Sequence, residues 1–135
     1  MEIHPDFLNL LEEVSVADSM RKTGSYAPMA ASLGAEGIVS GGLFTSPQPS
    51  EDSAVDDAIG ALIADARDGF QAGRFIAAII IFHGDQDAGG VMHIAHRPED
   101  ATSFVAWLLH SDGDTLQAFI PYGGEPVFSP LPTAR

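Results

Sequence analysis

The chain has 135 residues, which is close to the commonest domain size, so we expect one domain over residues 1–135 with one hydrophobic core. Six basic side chains against nineteen acidic ones give a net charge of −13, and apolar residues make up 45% of the sequence. This composition predicts a folded acidic domain and argues against binding to nucleic acid or to an anionic membrane, since both require clustered Lys and Arg. The lack of cysteine excludes disulfides, thiol nucleophiles and iron–sulfur clusters.

No targeting or cofactor-binding segment is recognisable in the sequence. The N-terminal residues lack the basic start and apolar core of a signal peptide. The longest apolar run, residues 75–82, is far shorter than the ~20 residues that span a bilayer. No glycine-rich stretch has the context of a phosphate-binding loop, and we expect no cofactor. These observations predict a cytoplasmic protein.

Residues 5–22 have the pattern of an amphipathic helix. Pro5 suits the first helical turn. Arg21 and Lys22 face the negative end of the helix dipole, and Gly24 fits a left-handed cap. The apolar side chains at three- and four-residue spacing are Phe7, Leu10, Leu11, Val14, Ala17 and Met20.

The sequence predicts a loop, one strand and a linker after this helix. Residues 25–35 have no clear period and contain Pro28 and Gly34, so they are predicted to be loop. Residues 37–44 are apolar but rich in glycine, which is typical of a weakened strand. Residues 46–53 have the composition of a linker.

A second amphipathic helix is predicted to begin at Ser53 and to end at Gly73. Ser53 is a suitable N-cap with Asp56 three residues later, and Gly73 can take the left-handed conformation that ends helices. The apolar stripe of this helix consists of Val55, Ile59, Leu62, Ile63, Ala66 and Phe70. We expect this stripe to pack on the sheet.

The remaining sequence predicts four antiparallel strands. Residues 75–82 are apolar without interruption, which favours a central strand buried on both faces. The Asp- and Gly-rich residues 84–90 predict a turn, after which residues 91–96 return as the antiparallel neighbour. Residues 104–110 and 115–120 are predicted to form a second hairpin.

An Asp-Gly pair defines the turn of the second hairpin. Asp112 and Gly113 are typical of a two-residue type I′ turn, in which Gly113 has a positive φ. The cross-strand pairs in this register are Leu109 with Leu116, Trp107 with Ala118, and Val105 with Ile120. A helix over residues 98–110 is the alternative, because Pro98 and the two acidic residues after it make a suitable helix start. We prefer the strand.

The assembled order of elements is α-β-α-β-β-β-β. It predicts an α+β fold in two layers, with two amphipathic helices and a mainly antiparallel five-strand sheet. The Pro- and Gly-rich tail from about residue 121 is expected to be extended along the surface. Two helices cover one face of such a sheet, so we expect part of the second apolar face to stay uncovered.

Three neighbouring polar residues form a candidate metal site. If residues 84–90 join adjacent strands, His83 and His93 lie diagonally across the hairpin, and Asp85 or Asp87 reaches in from the loop. Two imidazoles and a carboxylate are a known ligand set for zinc or iron. The spacing of His93 and His96 argues against a metal site here. The two residues are three positions apart and point to opposite faces of a regular strand, so both cannot reach one ion.

No combination of nucleophile, base and oxyanion donor is recognisable, so no catalytic residue is assigned. We therefore expect a small non-catalytic module that binds a protein partner or associates with itself, as a homodimer through the uncovered sheet face. The alternative hypothesis is a metal-dependent hydrolase, in which His83, Asp85 and His93 hold the ion that activates water.

Overall fold

The computed structural model describes residues 3–23, 28–36, 39–44, 52–86, 88–89, 92–95 and 97–129. Its helices are α1 (Pro5–Leu11), α2 (Glu13–Lys22) and α3 (Asp52–Ala72), and a 3₁₀ turn covers Pro98–Asp100. Its strands are β1 (Met29–Leu33), β2 (Val39–Phe44), β3 (Ala77–Gln86), β4 (Met92–Ile94), β5 (Ser103–His110), β6 (Thr115–Pro121) and β7 (Val127–Ser129).

The strands form one sheet in which the pairings are antiparallel. The order across the sheet is β2-β1-β3-β5-β6-β7, and β4 pairs with the end of β3. β3, predicted as the central strand, lies between β1 and β5. The α+β class and the mainly antiparallel sheet are confirmed. The described sheet has seven strands rather than five, because β1 forms within the predicted loop and β7 within the predicted tail.

Helices cover both faces of the sheet because β3 is apolar on both. Ile79 and Ile81 face one side and pack in a cluster with Phe7 and Leu10 of α1 and Ala17 of α2. The alternate β3 residues face α3, in a second cluster that includes Ile59, Leu62, Ala66, Ile80 and Phe82. The expected packing of the α3 stripe on the sheet is confirmed. The expectation that both predicted helices cover the same face is wrong.

The predicted helix over residues 5–22 is interrupted at Glu12. The Ser15 hydroxyl donates a 2.8 Å hydrogen bond to the Glu12 carbonyl. The Glu12 N–H in turn donates to the Asn9 carbonyl at 3.4 Å, three residues back. These short-range bonds tighten the backbone locally, so the single residue Glu12 separates α1 from α2.

Residues 25–35, predicted to be loop, contain β1. This strand pairs with β2 on one side and β3 on the other, and its residues are almost entirely buried. Ala30, Ala31 and Ser32 carry little intrinsic preference for a strand, so pairing with the two neighbours decides the conformation.

The second hairpin has the predicted position but a different register. The observed pairs are Val105 with Phe119, Trp107 with Gln117, and Leu109 with Thr115. The turn has three residues, and it is closed by the His110 N–H, which donates to the Asp114 carbonyl at 3.0 Å. Gly113 has the predicted positive φ, 101°, whereas Asp112 does not. The type I′ turn is therefore wrong, and the one-residue shift moves every β6 side chain to the opposite face.

The other sequence predictions have mixed outcomes. β3 continues through Gln86, beyond its predicted end at Phe82, and β4 returns antiparallel as predicted. β5 occupies the region for which a helix was the alternative. α3 begins at Asp52, so Ser53 lies inside the helix. Gly24, Asp87, Gly90, His96 and residues 45–51 and 130–135 lie outside the described residues.

None of the helices within the described ranges is both long enough and apolar enough to cross a membrane.

Candidate functional site

The three residues of the predicted metal site lie on β3 and β4. His83 and Asp85 are two positions apart on β3 and share a face, and His93 lies directly opposite Asp85. His83 is buried, Asp85 is half-buried and His93 is exposed. Asp85 accepts a 3.2 Å hydrogen bond from the Thr102 hydroxyl. Within the described part of the chain, these three do not bring their ligand atoms within 4.8 Å of one another, and the metal site stays a prediction.

His83 belongs to an aromatic cluster between the sheet and α2. Its Nδ1 shares a 2.6 Å hydrogen bond with the Tyr122 hydroxyl, and its ring lies 5.3 Å from the Phe104 ring. The Arg21 guanidinium lies 4.3 Å above the Tyr122 ring and is paired with Asp18 at 3.0 Å. Burial lowers the pKa of His83 to about 4, with a smaller contribution from the Arg21 charge. His83 is therefore neutral at physiological pH.

A second group of titratable side chains lies where α1 begins and β5 ends. We call His4, Asp6, His110 and Asp112 the histidine–aspartate cluster. The two imidazole rings stack with their centroids 4.2 Å apart. His110 Nε2 donates to Asp6 Oδ2 at 2.9 Å, and His110 Nδ1 lies 3.1 Å from Asp112 Oδ1. Among the described residues, His4, His110 and Asp112 offer three ligand atoms within 4.8 Å of one another.

Local structure positions each member of the histidine–aspartate cluster. His4 is the N-cap of α1, and its Nδ1 accepts the Asp6 N–H at 3.2 Å. The Asp112 carboxylate accepts the Asp114 N–H at 2.9 Å within the β5–β6 turn, and this bond lowers the pKa of Asp112. His110 ends β5.

Sequence patterns did not identify this cluster. His110 and Asp6 are 104 residues apart, so no motif spacing relates them. A place in the first turn of α1, near the positive end of the helix dipole, explains Asp6, and turn formation explains Asp112, so neither residue indicates a site by its type. Only the packing of α1 against the end of β5 brings the two segments together.

An uncharged surface lies on the α3 side of the sheet. α3 packs over β1 and β3, whereas Trp107, Phe119, Val127 and Ser129 on the same face of β5, β6 and β7 retain exposed area around the buried Gln117. We call Trp107, Gln117, Phe119, Val127 and Ser129 the open sheet patch. Val127 is 61% exposed, and Trp107 and Phe119 are half-buried. None of the five is charged, in a chain whose net charge is −13.

Hydrogen bonds run across the open sheet patch. Trp107 Nε1 donates to Gln117 Oε1 at 2.8 Å, and Gln117 Nε2 donates to Ser129 Oγ at 3.2 Å. The Trp107 ring also packs edge to face on the buried Phe82, with centroids 5.0 Å apart. These contacts hold the Trp107 ring in one orientation, with its polar atom satisfied within the chain.

Comparisons with protein-family models, curated proteins and solved structures found no match for this chain.

Proposed function

We propose that this chain is a non-catalytic binding module that forms a homodimer through the open sheet patch. The observation that carries this proposal is a partly exposed, uncharged surface across three strands. Phe119 and Val127 are directly paired there, and Trp107 lies diagonally across from Phe119 on β5. Interface cores are enriched in aromatic residues and depleted of charge. The patch has that composition.

The charge of the chain favours a second copy as the partner at this surface. In a two-fold contact the patch meets itself, and a charged patch would then face its own charge. With a net charge of −13, most of the polar surface is unsuited to such a contact. The open sheet patch avoids this repulsion, and the remaining long-range repulsion between subunits is screened within about 8 Å at physiological salt.

A matched pair of substitutions tests this proposal. Val127→Asp places a carboxylate in the proposed contact, where its burial in a dimer would be costly. Val16→Asp makes the same change on α2, where Val16 is 43% exposed on the opposite side of the sheet. We expect light scattering to give a dimer for the parent protein and Val16→Asp, and a monomer for Val127→Asp.

A monomeric parent protein, or a Val127→Asp variant that dimerises as tightly as Val16→Asp, would contradict the proposal. Neither side chain is buried in the isolated chain, with Val127 61% and Val16 43% exposed, so neither variant should lose the fold. Far-ultraviolet circular dichroism of both variants checks this point.

A metal-dependent hydrolase at His83, Asp85 and His93 is the second proposal. The direct pairing of Asp85 with His93 across β3 and β4 supports it. Hydrolysis of an activated ester that requires added metal and is lost in His93→Ala is the expected result. Equal activity in the parent protein and the variant would exclude the metal-dependent hydrolase.

The cytoplasmic location also stays a prediction.

A further inference from the structure

The geometry points to a divalent transition-metal site formed by His4, His110 and Asp112 of the histidine–aspartate cluster. Two imidazoles and one carboxylate are a ligand set for Zn²⁺ and other first-row divalent ions. This site is separate from the open sheet patch, since His110 lies on the face of the sheet that α1 covers. It is also separate from His83, Asp85 and His93.

The distances within the cluster suit a metal ion. His110 Nδ1 lies 3.1 Å from Asp112 Oδ1, and His4 Nε2 lies 3.9 Å from Asp112 Oδ2. Ligand atoms about 2.0–2.2 Å from a tetrahedral zinc ion are roughly 3.4 Å apart. The two observed separations bracket that value but involve different oxygens of Asp112, and one ligand atom from each of the three residues lies within 4.8 Å of the other two. Rotation of the half-exposed Asp112 side chain would bring one oxygen toward both imidazole nitrogens.

Asp6 supplies the carboxylate that commonly orients a metal-bound histidine. It accepts the His110 Nε2 proton at 2.9 Å, which leaves the Nδ1 lone pair for a metal ion. In the present structure that lone pair accepts the Asp112 N–H at 3.2 Å, a bond that metal coordination would replace. Coordination through His4 Nε2 would place the proton on Nδ1, so the 3.2 Å bond that Nδ1 accepts from the Asp6 N–H would be lost. Asp6 Oδ2 lies 3.7 Å from this Nδ1, beyond hydrogen-bond distance, so the Asp6 carboxylate orients His110 alone.

Burial and access also favour a bound ion at this position. The His110 side chain is 10% exposed, whereas Asp112 is 50% exposed and can adjust. A cleft of about 450 Å³ lined by Ile3, His4, Pro5 and Asp114 adjoins the cluster. Water can complete the coordination from this side, as it does where three protein ligands hold zinc.

Zinc titration of the full chain, followed by calorimetry, tests the site. We expect one Zn²⁺ ion per chain and a rise in Tm on zinc addition. His4→Ala and Asp112→Asn should each weaken zinc binding at least tenfold, because each removes a ligand. The amide side chain introduced by Asp112→Asn still offers an oxygen to the Asp114 N–H, so this turn should remain folded. Asp68→Asn, which neutralises an exposed carboxylate on α3, is the matched control for Asp112→Asn and should bind zinc like the parent protein. His93→Ala shows whether zinc binds instead at His83, Asp85 and His93.

Zinc affinity that is unchanged in both His4→Ala and Asp112→Asn would overturn the proposal, as would binding that only His93→Ala removes. Weak uptake of several ions by all variants would also overturn it, since that is the behaviour of a diffuse acidic surface. The Tm of each variant without metal shows that the fold is retained. Val127→Asp should bind zinc normally, so this result is independent of the dimer.

Discussion

His83 shows how the surroundings of a single residue change its chemistry. His83 follows Ile81 on the face of β3 that α1 and α2 cover, and its ring is buried beside Phe104 and Tyr122. Its hydrogen bond to the Tyr122 hydroxyl satisfies the ring nitrogen, while burial opposes the charged form. The sequence identified His83 as a polar residue of interest but could not show that it is buried.

The lowered pKa of His83 predicts an acid-dependent loss of stability. Between pH 6.5 and about 4 the unfolded chain binds a proton at this position and the folded chain does not. The free energy of unfolding should therefore fall by up to about 3 kcal/mol as the pH is lowered through this window, and this contribution should be constant above it. Urea denaturation at a series of pH values measures the change.

Substitution of His83 separates this contribution from that of the carboxylates. His83→Gln should reduce the pH dependence of stability in this window, because the glutamine side chain does not titrate. Identical pH dependence in the parent protein and His83→Gln would contradict the assignment.

Gly113 is the residue with positive φ in the three-residue turn that sets the β5–β6 register. Its φ of 101° is costly for any residue with a Cβ. Gly113→Ala should lower the free energy of unfolding by about 1–2 kcal/mol, and Gly113→Asn should lower it less, because Asn tolerates positive φ better. Urea denaturation measures both. Equal stability of Gly113→Ala and the parent protein would show that the turn relaxes without strain.

At the scale of elements, the predictions succeeded where the local pattern agreed with the packing. The apolar run in β3 and the stripe of α3 are strong signals, and both elements lie at the predicted positions. β1 was missed because Ala30, Ala31 and Ser32 form a strand only through their neighbours. The hairpin register was missed because one Asp-Gly pair fits both a two-residue and a three-residue turn.

Two glycines within α3 provide a matched test of its packing. An added Cβ at Gly60 meets nothing, whereas one at Gly69 meets the Phe75 ring, which packs against the helix there. Gly60→Ala should raise the free energy of unfolding by about 1 kcal/mol through helix propensity. Gly69→Ala should be less stable than Gly60→Ala by about 1–3 kcal/mol, because the same gain is offset by overpacking.

A double-mutant cycle identifies the cause of that difference. In a Phe75→Leu background the ring is absent, and Gly69→Ala should recover most of the stability gained by Gly60→Ala. If Gly69→Ala has the same effect in both backgrounds, the close approach of Phe75 is not the cause.

At the scale of the whole molecule, contacts between distant segments were beyond the sequence. The histidine–aspartate cluster joins segments about 100 residues apart, and the helices lie on opposite faces of the sheet. Helical periodicity predicts that a helix has an apolar side but not which face of the sheet receives it. Because a helix packs on each face of the sheet, the exposed apolar surface of the described strands lies on β5, β6 and β7 beyond α3, at Trp107, Phe119 and Val127.

Trp107 makes the homodimer directly measurable, because it is the only tryptophan in the chain and belongs to the open sheet patch. We propose measuring mass by sedimentation equilibrium and acrylamide quenching of tryptophan fluorescence over the same range of protein concentrations. We expect the mass to rise from 14.2 kDa to twice that value and quenching to decrease over the same concentrations. A constant mass of 14.2 kDa with constant quenching, or dimerisation that leaves quenching unchanged, would contradict it.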